Sequence, residues 1–305
     1  MDYDLIIIGA GAAGLTAGIY ASRYQLKSVV VGDLIGGLTT EAHKIYNWPG
    51  EPGISGFELT KKMSDHVVAS GGEVLLDLVN TVEKTDGGFS VVLRSGKTIT
   101  SKTVLFTVGT KHRKLGLARE EELLGKGVAY CATCDGPFFK DKIVAMVGGG
   151  NSVISAAMYL SDVASSVYVI CRGPELKGEP LWRDELIKKA NVTMLYSTNV
   201  IDLLGQDRLT ALKLDNPYKE SDELAVDGMF VEIGLMPQTE LFKSMGGEVN
   251  DLGYIKVKPD MSTNLVGVYA AGDSTDYSND FHQIVTACSE GAIAADTIYK
   301  NLSVG

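Results

Sequence analysis

The chain has 305 residues, 45% hydrophobic and 22% charged, which excludes a disordered or fibrous protein and suits two domains of ordinary size. A net charge of −10 offers no basic surface for phosphate backbones, so no nucleic-acid partner is expected. Four cysteines are too few for a disulfide scaffold and no apolar run reaches bilayer length, so the expectation is a cytoplasmic protein with no membrane partner.

In chain order, Leu5 to Ile8 predicts a buried strand and the Ala-rich stretch to about Tyr24 a helix. Between them lies Gly9-Ala10-Gly11-Ala12-Ala13-Gly14, and Ser28 to Val31 completes a βαβ unit. The apolar start has no basic residue before it, so it reads as fold and not as a secretion signal. Glycines at this spacing permit a tight turn and let backbone N–H groups face a pyrophosphate. Asp33 lies 19 residues beyond Gly14, where a carboxylate would hold a ribose hydroxyl. Gly56 to Ser70 predicts an amphipathic helix, capped by Ser55 with Glu58 and ended by Gly71 and Gly72. Short strands follow at Phe89 to Leu93, Lys97 to Thr100 and Thr103 to Val108.

A second βαβ unit begins at Lys142, with strand Ile143 to Val147, helix Ser152 to Leu160 and strand Val167 to Ile170. Its turn, Gly148-Gly149-Gly150-Asn151-Ser152-Val153, starts 139 residues after Gly9, which suggests an internal duplication. Val153 adds bulk where Gly or Ala would let helix and strand pack closely, so the turn reads either as a nicotinamide-nucleotide site or as a retained but degraded fold. A helix Leu181 to Ala190 and strands Val192 to Leu195 and Met229 to Ile233 finish this unit. The chain returns through Gly253-Tyr254-Ile255 to a strand Gly267 to Ala270, then Gly272 and Asp273, an ordinary turn pair or one whose carboxylate accepts from a ribityl hydroxyl. A last helix runs from about Gln283 to Leu302, its free N–H groups starting near His282 and Gln283. The final portion has no fingerprint of its own and is expected to pack on the first unit. That makes an α/β protein of two Rossmann-like, three-layer ββα domains, the second inserted into the first. The expected bounds are 1–113 with 243–305, and 114–242.

Cys131-Ala132-Thr133-Cys134-Asp135-Gly136 stands between the two fingerprints. It admits a zinc half-site, two structural cysteines or a redox dithiol. The remaining candidate ligands, Cys171, Cys288, His43, His66, His112 and His282, are scattered and unpaired. Spacing and context favour the redox dithiol. Asp135 can then shuttle a proton, or simply cap the turn that Pro137 begins.

With these pieces in place, the chain resembles the low-molecular-weight thioredoxin reductases from end to end. The resemblance rests on both fingerprints, Gly36-Gly37-Leu38-Thr39-Thr40, Asn47-Trp48-Pro49-Gly50, Gly109-Thr110 and the Cys131 to Gly136 element. Tyr269 to Asp273, Gln283 to Ala287 and Glu290-Gly291 complete it. It implies a homodimer that reduces thioredoxin or a thioredoxin-like protein, with Cys131, Cys134 and Asp135 catalytic. FAD would lie on Gly9, Gly11, Ala12, Ala13, Gly14, Asp33, Gly37, Leu38, Thr39, Thr40, Asn47, Gly109, Thr110, Gly272, Asp273, His282, Gln283 and Ile284. NADPH would lie on Gly148, Gly150, Asn151, Ser152, Arg172 and Lys177. It also implies that the inserted domain rotates, so that dithiol and nicotinamide alternate at the flavin.

Two departures bear on the electron donor. Relatives specific for NADPH carry His-Arg-Arg-x-x-x-Arg where this chain has Cys171-Arg172-Gly173-Pro174-Glu175-Leu176-Lys177. Arginine forks suit a 2′-phosphate bidentately, whereas lysine offers a point charge. The turn Gly36-Gly37-Leu38 also lacks the glutamine that many relatives place after the second glycine. NADH, ferredoxin or reduced flavin therefore stand as alternative donors, and a nucleotide sensor or zinc-stabilised module without turnover as the reading from another class.

Overall fold

The computed structural model describes residues 1–42, 44–278 and 281–303, so His43 lies outside the described residues. The chain forms two compact units, Met1–Lys111 with Met236–Gly305, and His112–Leu235.

The first unit opens with β1 (Tyr3–Ile8), α1 (Ala12–Arg23), β2 (Ser28–Gly32), α2 (Gly56–Ala69) and β3 (Glu73–Leu76). β4 (Val79–Thr85), β5 (Gly88–Leu93) and β6 (Thr98–Phe106) follow. β1 lies between β2 and β6, and β2 beside β3, all in parallel. β4, β5 and the first half of β6 form an antiparallel meander. The two strands expected at Lys97 to Thr100 and Thr103 to Val108 are thus one long strand. It serves the meander with its first half and the parallel sheet with its second. The expected cap of α2 is present: the Ser55 Oγ accepts from the Glu58 N–H at 3.2 Å, and Glu58 Oε2 accepts from the Ser55 N–H at 3.3 Å.

The passages between the units are short strands, β7 (Thr110–His112) on the way out and, later, β16 (Leu235–Pro237) on the way back. The second unit contains β8 (Val128–Ala129), α3 (Ala132–Asp135), β9 (Ile143–Gly148), α4 (Asn151–Val163), β10 (Ser166–Cys171) and α5 (Pro180–Ile187). Then come β11 (Val192–Tyr196), β12 (Val200–Leu204), β13 (Ala211–Tyr218), β14 (Ser221–Ala225) and β15 (Gly228–Glu232). Its main sheet is all parallel in the order β11-β10-β9-β15-β8. β12, β13 and β14 make an antiparallel meander that mirrors the one in the first unit.

Back in the first unit, α6 (Glu240–Ser244) precedes β17 (Val268–Ala270), which pairs in parallel with the second half of β6, and α7 (Ile284–Ser303) closes the chain. The second boundary falls before residue 242, earlier than the sequence suggested, because Phe242 belongs to the first unit's core. It is fully buried and meets Phe106 edge-on at 5.4 Å between ring centroids.

Each unit has three layers because buried parallel strands alternate faces. In the first, Leu5, Ile7, Val30 and Leu105 pack against α1, α2 and α7, while Ile6, Ile8, Val29 and Phe106 pack against the meander residues Phe89, Val91 and Leu93. In the second, Val144, Met146 and Val169 face Val153, Ile154 and Leu160 of α4, while Ala145, Val147 and Val231 face Leu212, Leu214 and Leu224. Among the described residues no helix is long and apolar enough to cross a membrane.

Candidate active site

Cys131 and Cys134 are bonded to each other, with Cα atoms 5.3 Å apart. Cys131 sits before the first residue of α3, and its Sγ accepts the Cys134 N–H at 3.1 Å. Cys134 is exposed and Cys131 half-buried. Asp135 ends α3 and precedes a 3-10 turn, Gly136–Phe139, without capping it through its side chain. The capping role that the sequence left open to Asp135 is therefore not the one this turn uses. Asp135, Lys126, Phe138, Phe139 and Arg208 line a groove of about 320 Å³ in the second unit, and Phe138 is 80% exposed. Among the described residues no three His, Cys, Asp or Glu side chains are grouped to hold a metal ion.

The residue before the disulfide is anchored by a group the sequence reading missed. Glu120 is 2% exposed. It accepts the N–H groups of Leu115, Gly116 and Leu117 at 2.9, 2.7 and 3.3 Å, and the Tyr130 hydroxyl. Burial, then this carboxylate, push the Tyr130 phenol well above its ordinary range, so it stays a donor. His112 stacks on Tyr130 at 5.7 Å, and its Nδ1 lies 3.7 Å from Glu232.

In the first unit the fingerprint has no room for side chains where glycine stands. Gly9 has φ +115°, and a Cβ there would lie 2.2 Å from the Thr107 carbonyl; one on Gly14 would lie 1.9 Å from the Gly9 carbonyl. Ala12 and Ala13 are buried in the first turn of α1. A Cβ on Gly11, by contrast, would meet nothing within 4 Å, so the turn is open there. The Gly36 N–H donates to the Ala10 carbonyl at 2.7 Å. That contact lays the 3-10 turn Gly37–Glu41, which holds Leu38, Thr39 and Thr40, beside the fingerprint. Asp33 is exposed in the bend beyond β2.

Gly272 joins the same region: at φ +82°, a Cβ on it would lie 2.8 Å from the Ala13 Cβ. Burial pushes the Asp273 carboxyl up, His282 pulls it back, and Glu290 adds to the rise. His282 stacks on Tyr254 at 5.2 Å, and Asn47 Nδ2 donates to Gln283 Oε1 at 2.8 Å, just ahead of Ile284. The hydroxyls of Thr110 and Ser274 are buried and have no hydrogen-bond partner among the described residues. Thr110 follows Gly109, whose φ is +60°.

The second fingerprint repeats the first in its surroundings. Gly148 has φ +140°, and a Cβ on it would lie 2.1 Å from the Glu232 carbonyl at the end of β15. Gly150 is open like Gly11, with Asn151 and Ser152 exposed at the start of α4. The Lys177 N–H donates to the Gly149 carbonyl at 2.6 Å, and the Glu179 N–H to Asn151 Oδ1 at 2.7 Å. Lys177 is thereby held against the turn, and Arg172 is exposed just beyond β10.

The model of the pyridine nucleotide-disulphide oxidoreductase family matches residues 3–291. The chain belongs to that family. It is 36% identical over 297 residues to the thioredoxin reductase of Treponema pallidum, covering 96% of this chain and 95% of that one. Among solved structures it resembles the thioredoxin reductase of Lactococcus lactis, with 30% identity, a TM-score of 0.93 and coverage of 99% and 100% of the two chains. The thioredoxin reductase of T. acidophilum is 36% identical with a TM-score of 0.91, over 100% of this chain and 99% of that one.

Proposed function

We propose that this chain is a flavin-dependent thioredoxin-disulfide reductase. The observation that carries the reading is the solvent-facing Cys131–Cys134 disulfide, in a chain similar along its whole length to thioredoxin reductases. In the dithiol state, one thiolate attacks a sulfur of the partner's disulfide, forming a mixed disulfide and releasing the partner's other sulfur as a thiolate. The second cysteine's thiolate then displaces the first partner sulfur. The Cys131–Cys134 bond re-forms, and two electrons have passed to the partner, whose sulfurs take up two protons. Asp135, adjacent in the chain, is the proposed proton carrier. The exposed Phe138, four residues beyond Cys134, supports a protein partner, since a small thiol needs no such aromatic surface.

The residues of the first unit fit FAD. Two buried hydroxyls, on Thr110 and Ser274, lack partners, and Gly11 is open beside N–H groups at the start of α1. Gly9, Gly11 and Gly14 would take the pyrophosphate, and Asp273 a polyol hydroxyl. FAD, when bound, supplies the two electrons that reopen the disulfide. The donor upstream is proposed to be NADPH, with Arg172 and Lys177 as the cations for its 2′-phosphate. The second reading, NADH, ferredoxin or reduced flavin, follows from the single guanidinium in that segment. A cytoplasmic homodimer acting on thioredoxin completes the proposal.

Two measurements test it. Cys131→Ser and Cys134→Ser should each abolish thioredoxin reduction while the protein keeps its flavin; turnover in both variants rejects the dithiol. Anaerobic mixing with NADPH and NADH in turn should bleach the flavin faster with NADPH; inertness to both transfers the donor role to ferredoxin or flavin.

A further inference from the structure

α7 touches both halves of the proposed flavin site with two adjacent residues. Glu290 is 2% exposed, and its carboxylate is filled by the turn that carries Asp273. Glu290 Oε2 accepts the Gly272 N–H at 2.8 Å and the Thr275 hydroxyl at 2.8 Å, and Oε1 accepts the Ser278 hydroxyl. The Thr275 N–H closes the turn onto the Gly272 carbonyl at 2.9 Å. One buried carboxylate therefore holds three donors spread over Gly272 to Ser278. Such bonds are strong because an ionised acceptor has no water to fall back on. The neighbouring Gly291 faces α1: a Cβ on it would lie 2.2 Å from the Ala13 carbonyl. No residue with a side chain lets α7 come this close to the first turn of α1.

We infer that Glu290 and Gly291 are positioning residues for the flavin: Gly291 seats α7 on the fingerprint helix, while Glu290 pins the Asp273 turn in register with it. The inference rests on the FAD reading above. Neither residue needs to touch the flavin. Their work is to keep the pyrophosphate half (Gly9 to Gly14) and the polyol half (Asp273, with the unpartnered Ser274 hydroxyl) at one fixed spacing. Without the clamp, Gly272 is a left-handed glycine with several conformations open to it, and binding must then supply the ordering.

The test uses full-length apoprotein titrated with FAD, following quenching of flavin fluorescence. Glu290→Gln keeps the volume but offers one acceptor oxygen to three donors, and its Kd should rise about thirtyfold or more. Thr275→Val and Ser278→Ala each remove one donor and should raise Kd about threefold to tenfold, and Gly291→Ala about tenfold. A structural role alone would not move a second readout. The titratable groups that act on Asp273 are His282, from the segment ahead of α7, and Glu290. In Glu290→Gln the loss of a negative neighbour should shift the acid-side midpoint of FAD release to lower pH. Kd values within twofold of wild type, with an unmoved midpoint, overturn the inference. If Glu290→Gln does not fold, unchanged Kd in Thr275→Val and Ser278→Ala overturns it equally. Wild-type protein that takes up no FAD sinks the functional reading first, and this inference with it.

Discussion

Removing one hydroxyl, in Tyr130→Phe, tests how the residue before the redox disulfide is held. The Tyr130 O–H donates to Glu120, a carboxylate 2% exposed that already accepts three backbone N–H groups from Leu115 to Leu117. A hydrogen bond to a buried charge contributes about 1.5–3 kcal/mol. Tyr130 is half-buried, which places this bond in the lower part of that range, about 1.5–2 kcal/mol. For a domain of this size that is a fall of about 5–8 °C in the melting temperature of the second unit. Trp182 lies in that unit and Trp48 in the other, so Trp182 fluorescence in a Trp48→Phe background follows the right transition. The sign with pH is fixed. The folded phenol titrates above its ordinary value of 10.0, so its stabilisation is complete below about pH 10 and declines as the unfolded tyrosine ionises. The gap between wild type and Tyr130→Phe should hence be level from about pH 6 to 9 and narrow above about 10. A shift under about 1 °C at neutral pH, or a gap that widens in alkali, refutes the reasoning.

The remaining predictions concern the first unit. In Gly14→Ala a Cβ would lie 1.9 Å from the Gly9 carbonyl and 2.6 Å from Thr107 Oγ1, so the turn must open. The purified protein should carry less than about a tenth of the wild-type flavin by absorbance, and a full complement would count against the site. Asp273→Asn probes the raised carboxyl. A buried acid whose folded value is raised gives stability below the ordinary carboxylate range and loses it as pH rises through the folded value. Flavin-free Asp273→Asn should therefore unfold at higher urea than wild type near pH 7–8, with the advantage fading towards about pH 4. An advantage that grows on acidification would contradict that account.

The parts of this fold that were legible in the sequence are those whose burial is written into consecutive residues. Leu5 to Ile8 and Val144 to Val147 are apolar on both faces because helices cover one side and a meander the other. The meander β12-β13-β14 went unread because only alternate residues, such as Leu212 and Leu214, are buried, while charged side chains occupy the positions between. Position 153 shows how the fold takes the bulk of a residue larger than Gly or Ala. Val153 is fully buried, and Gly148, like Gly9, has a positive φ against a strand-end carbonyl. A valine methyl would stand 2.7 Å from a Cβ on Gly148, so the absence of that Cβ is what admits the extra bulk. The bulk does not close the turn, since Gly150 remains open. Glu120 gave no sequence signal, and Glu290 entered only as part of the Glu290-Gly291 element of the resemblance, with no role attached. Their roles became visible only once the fold had brought four donors to Glu120, from Leu115 to Leu117 and Tyr130, and three to Glu290, from Gly272, Thr275 and Ser278. Both fingerprint turns keep a positive-φ glycine against a strand-end carbonyl, so under the reading proposed above any discrimination between donors falls to side chains beyond the turn, where Arg172 and Lys177 are exposed cations.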